Sequence, residues 1–181
     1  LDTPVNIVSG WNWIGYTPQF NLDVNIALET LEPVSDDAVK GQFTFAQYVE
    51  GAGWIGSLDR MFPGQGYMLK INNPGTLVYP DEANTMIAKT SELSEQPETP
   101  WEFNPHQYRY SMTLTGIMKD NITEESASSY AFMVVSGDEI RGTAVETYVP
   151  VFEEKLVFLM IHSNEPVGEE LSIAIMDMDG G

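Results

Sequence analysis

Gly10-Trp11-Asn12-Trp13-Ile14-Gly15-Tyr16 is the stretch on which the first half of the chain turns. Two tryptophans one residue apart share a face of a β-strand, because side chains alternate with a period of two. An indole buries roughly 150–250 Å2 when it goes inside, so the pair reads as the seed of a small core. The theme returns at Gly53-Trp54-Ile55-Gly56-Ser57-Leu58 and, with tyrosine, at Gly66-Tyr67-Met68-Leu69-Lys70. On that reading, truncating Trp13 or Trp54 to alanine should cost about 3–5 kcal/mol. The rival reading is an exposed aromatic platform for a sugar, with one or two of Trp11, Trp13, Trp54 and Trp101 stacked on the ring.

Around this stretch the pattern is one of short strands and sharp turns. Residues 5–8 form a strand leading into the tryptophans. Asn21-Leu22-Asp23 caps a helix predicted over residues 24–31, which Pro33 stops. Residues 39–49 alternate as strands do, and Pro63-Gly64-Gln65-Gly66 and Asn72-Asn73-Pro74-Gly75 are turns. The first unit thus spans residues 1–80. Residues 81–100 are acidic, hold prolines and have few large apolar side chains, which is the composition of a linker. A second unit, 101–181, shows six strand-like runs, at 110–115, 130–135, 140–144, 147–152, 156–161 and 171–176. The expected fold class is mainly β: two small β-rich, sandwich-like units, the first with one short helix.

The formal charge is −19, from 27 acidic and 8 basic residues, and over half of it falls on the second unit. Nucleic-acid recognition needs clustered Lys and Arg, so this balance argues against it and against an anionic membrane surface. No apolar run reaches the ~20 residues of a membrane-spanning helix. With no cysteine, disulfides, zinc–thiolate sites and thiol catalysis are excluded. The first residue is Leu1 rather than Met, as expected of a chain cut from something longer.

Gly10-Trp11-Asn12-Trp13-Ile14, Gly53-Trp54-Ile55-Gly56-Ser57-Leu58 and Pro63-Gly64-Gln65-Gly66-Tyr67-Met68-Leu69-Lys70 together resemble a module of large secreted bacterial proteins that carry a C-terminal sorting domain. The second half resembles the β unit that often follows it, through Tyr110-Ser111-Met112-Thr113-Leu114-Thr115-Gly116 and Gly137-Asp138-Glu139-Ile140-Arg141-Gly142. The resemblance implies an extracellular or cell-surface location and a repeat-like, non-catalytic role. In relatives the second unit runs on into further strands, which implies that here it lacks its last one.

Little in the chain points to catalysis. His106 and His162 are far apart, and no nucleophile elbow or His-Glu-x-x-His is present. Calcium is the ligand that the acids suit best, since it takes several oxygens at 2.3–2.6 Å. Asp177-x-Asp179-Gly180 has the start of such a loop, and Asp138 in Gly137-Asp138-Glu139 is a second candidate. Solvated turn acids explain the same residues. No other cofactor is expected. The function expected is a structural subunit or module of a bacterial surface filament, tube or adhesin, not an enzyme. Its partners would be further copies of itself or neighbouring modules. The assembly strand would be Val5, Asn6, Ile7 and Val8 at the free N-terminus, donated to the open edge of the second unit. The alternative is a carbohydrate-binding module using Trp11, Trp54 and Trp101, with glycans as partners.

Overall fold

The computed structural model describes residues 3–81, 99–117 and 129–178. The chain is mainly β and divides into two compact units, Leu1–Glu95 and Gln96–Gly181. Most of the expected linker, residues 82–98, lies outside the described residues.

In the first unit, β2 (Gly10–Gly15), β8 (Gly66–Ile71), β4 (Ala38–Lys40), β5 (Phe45–Val49) and β6 (Gly53–Gly56) form a five-stranded antiparallel sheet in that order. Two short ladders complete the unit: β1 (Val5–Ile7) with β9 (Gly75–Leu77), and β3 (Leu22–Asp23) with β7 (Arg60–Met61). One face of the sheet carries Ile14, Leu69, Val39, Ala46 and Trp54 into a core shared with Leu28, Leu58 and Met61. Tyr16 and Tyr79 meet edge-to-face there with ring centroids 5.0 Å apart. The Tyr16 hydroxyl donates to the Phe20 carbonyl at 2.9 Å, and that of Tyr79 to the Gly15 carbonyl at 3.2 Å.

The helix α1 (Val24–Ala27) starts where its cap predicts: the Asp23 carboxylate accepts from the Asn25 N–H at 2.8 Å. It ends after four residues rather than at Leu31. Val24, Asn25 and Ile26 are indifferent helix formers, and Leu28 and Leu31 reach the core from turns instead. Asn25 has a second role. Its side-chain oxygen accepts from the Trp54 N–H at 2.6 Å and its amide donates to the Trp54 carbonyl at 3.2 Å. The exposed edge of β6 is thereby paired by a side chain that imitates a neighbouring strand. Asp37, fully buried, closes its own turn by accepting from the Val34 N–H (2.9 Å) and ties it to the end of β8 by accepting from the N–H and amide of Asn72 (2.9 and 2.7 Å).

Two expectations for this unit are corrected. Trp11 and Trp13 do share a face, but it is the outer one: they are 46% and 80% exposed, whereas Trp54 is 5% exposed. The phase of β2 is set by Ile14, and by Tyr16 just beyond it, both 3% exposed and pointing the other way. The stretch Val5, Asn6, Ile7, Val8 is no free donor strand either. Val5, Asn6 and Ile7 pair with Leu77, Thr76 and Gly75 of their own unit, and the Val8 N–H is taken by the Asn12 side chain at 3.0 Å.

Among the described residues the second unit has five strands where six runs were expected: β10 (Tyr110–Ile117), β11 (Tyr130–Ser136), β12 (Glu139–Val149), β13 (Glu154–Ser163) and β14 (Ser172–Asp177). The runs expected at 140–144 and 147–152 are one long strand. Their order is β10-β13-β12-β11-β14, all neighbours antiparallel. The strand β12 serves two ladders in succession. Six of its first seven residues pair with β11, the ladder skipping Arg141 at a bulge, and Glu146–Val149 pair with β13. The sheet is folded along that strand, so β11 lies over β13 although the two are not neighbours. Phe132, Val134 and Ala144 pack there against Val157, Leu159 and Ile161. Gly142 marks the closest approach, because a Cβ at that position would strike the Met160 carbonyl. This layering makes the unit sandwich-like.

Candidate functional site

A sheet folded along its middle strand brings both of its edges, β10 and β14, to the open side. The register fixes which side chains face inward there. Met112 lies opposite Ile161 and Leu114 opposite Leu159, so these residues of β10 point to the core face. Ile173 lies opposite Val134 and Ile175 opposite Phe132, which places them on the core face of the other layer. Both rows are only half covered: Met112 is 51% exposed and Ile175 52%. An open groove of about 160 Å3 lies beside β10, lined by Tyr110, Met112, Ile161, Val167 and Leu171 with Ser163 and Glu169 at its polar end.

The polar end is held by one cation. The Arg141 guanidinium pairs with Glu169 and, at 2.7 Å, with Glu139, while its flat face lies 4.9 Å from the centre of the Tyr108 ring. Tyr108 donates in turn to the Ile140 carbonyl at 3.0 Å. A hydrogen bond from Ser163, then those from Arg141 and Ser136, hold the Glu169 carboxyl below its usual range. These contacts staple the connection between β13 and β14 to the body of the sheet.

The outer face of the first unit's sheet has a different character. Reading across the register, Trp11, Lys70, Ala38, Gln47 and Ile55 form one row, and Trp13, Met68, Lys40 and Phe45 the next. No residue in these rows is acidic, although the chain has 27 acids. The Lys40 ammonium sits 5.4 Å from the centre of the Trp11 ring, and burial lowers its pKa from the ordinary value.

The residues singled out in the sequence are scattered by the fold. Trp54 is core, Trp101 is half-buried in the second unit, and Trp11 is on the outer face, so no single platform holds all three. Trp13, the most exposed of the four, was assigned to the core by the same alternation argument. Asp138 is exposed in the two-residue turn after β11, and Asp177 is opposite Tyr130 at that strand's other end. The seven residues of β11 between them span about 20 Å, and they cannot share an ion. Asp179 lies outside the described residues, among which no group of three His, Cys, Asp or Glu side chains could hold a metal. His106 is exposed in a 3-10 turn (Pro105–Gln107), and His162 is buried against Phe103 with ring centroids 5.4 Å apart. No protein-family model, curated protein or solved structure matches the chain.

Proposed function

We propose that the chain is a non-catalytic structural module of an extracellular bacterial assembly, a surface filament, tube or adhesin, joined through β-strand contacts. The observation that carries this reading is the open side of the second unit, where two edge strands present half-exposed, core-facing apolar side chains. Edge strands offer unpaired N–H and C=O groups, and soluble proteins normally blunt them with charge, proline or bulges. Ile173, Ala174, Ile175 and Met176 of β14 include none of these devices. The resemblance to secreted modules supports the location. The partner is a second copy or a neighbouring module that supplies a strand to this edge, and β1 is not the donor, being engaged in its own unit.

Sedimentation of the full chain over a wide concentration range tests the reading. Oligomers should appear as concentration rises, and Ile173→Lys with Ile175→Lys should leave a folded monomer, since both side chains already touch water. A chain that stays monomeric throughout, or charged variants that assemble equally well, would refute self-assembly through this edge.

A further inference from the structure

We propose that the outer face of β2 and β8, the open side of the first unit's sheet, is a binding surface for an acidic polysaccharide, one built of uronic-acid rings. It stands on a different unit and a different face from the strand contact above. Trp11 and Trp13 project from alternate positions of β2, about 6.8 Å apart along the strand, into solvent. The face of an indole is electron-rich and attracts polarised C–H groups, which a pyranose ring presents on its flat side. Lys70 is directly opposite Trp11 in the register, and Lys40 reaches back to the Trp11 ring. The Lys40 ammonium lies beside the Trp11 indole and Lys70 stands on the neighbouring strand, where both would meet ring carboxylates.

Charge selects this ligand class. The chain carries 8 basic residues against 27 acidic ones, yet this face holds two of the cations and no strand residue of opposite sign. At physiological ionic strength the Debye length is about 8 Å, so the remote carboxylates are screened while the adjacent lysines are not. Topography selects it over an acidic peptide. A bound strand would add beside β2, the edge strand, on the side away from Lys70 and Lys40, and a bound helix needs a groove. Flat rings need only flat aromatic surface and charges at the side.

The test uses the full chain in 0.15 M NaCl with EDTA, so that no cation bridges ligand to protein. The probes are hexagalacturonate, its methyl ester and hexaglutamate, read by calorimetry and tryptophan emission. Hexagalacturonate should bind and perturb the emission of the exposed indoles. The ester, which offers no carboxylate to the lysines, should bind about fivefold more weakly, and hexaglutamate not measurably. Trp13→Ala should weaken hexagalacturonate binding about tenfold, the usual loss when an aromatic stacking surface is removed. Lys70→Gln should weaken the acid about two- to fivefold and leave the ester unaffected. Absence of hexagalacturonate binding, unchanged affinity in Trp13→Ala, or equal affinity for hexaglutamate would each overturn the proposal.

Discussion

Replacing Trp54 and Trp13 separately by alanine contrasts two tryptophans of similar local sequence. Trp54 is 5% exposed and packs edge-to-face on Tyr48 at 5.5 Å. Removing roughly 150–200 Å2 of buried indole beyond the Cβ, at about 25 cal/mol per Å2, costs about 4–5 kcal/mol. The lost aromatic pair adds about 0.5–1.5 kcal/mol, and partial collapse of the site returns some of it, so about 3–5 kcal/mol is expected. For a unit of this size each kcal/mol moves the midpoint by about 4–8 °C, so Trp54→Ala should leave the first unit at least about 12 °C less stable, or unfolded. Trp13, 80% exposed, removes little buried area, and its truncation should stay within about 0.5 kcal/mol. Thermal unfolding followed by near-ultraviolet circular dichroism reads both. Emission gives an independent check, since loss of Trp13 should shift the mean spectrum to the blue. Equal destabilisation by the two substitutions, or a larger loss from Trp13→Ala, would show that β2 has the opposite phase.

Two further expectations concern pH. Burial raises the phenol pKa of Tyr16, Tyr67 and Tyr79 above the ordinary 10.0, so these groups stay neutral in the fold while ionising freely in the unfolded chain. Stability of the first unit should therefore fall as pH rises above 10.0; absorbance at ~295 nm should show these three tyrosines titrating only on unfolding, and gradual titration in the folded state would refute their burial. Glu169 is shifted the other way, below its ordinary 4.5, so its contribution to the second unit is present above that value and lost as pH falls through it. Glu169→Gln should flatten that acid limb of the stability profile, and an unaltered limb would show that other carboxylates carry it.

What the sequence made legible was local. Turn residues located the hairpins and the start of β8, Asp23 located the start of α1, alternation located β2 and β10, and a continuous apolar run located β11, each to within a residue or two. Alternation tells which residues share a face but not which face is wet. Trp11 and Trp13 outweigh Ile14 and Tyr16 in apolar area, and area alone chose the wrong side. The long strand β12 reads from sequence as two runs, 140–144 and 147–152, on either side of Val145-Glu146. In the fold, Lys155 of the neighbouring strand lies 3.7 Å from that carboxylate and lets the strand continue. The pairing of β1 was invisible for another reason: its partner β9 is some 70 residues away, and no local pattern records so distant a match. The candidate site was the least legible part. Exposure of Met112 and Ile175 depends on where a sheet folds over, which no single strand's sequence contains.

The ladder between β1 and β9 also has a mechanical meaning. Val5 is opposite Leu77, so the unit's entering and leaving segments depart side by side from one end of the ladder. Tension applied through those two segments must first free Tyr79, buried just beyond Leu77, and the ladder then opens from that end one hydrogen bond at a time rather than shearing all of them at once. Once the ladder and the core give way, residues 5–77 pay out roughly 240 Å of extended chain. Under load the first unit would therefore yield that reserve of length only after the Tyr79 anchor and the ladder have both opened.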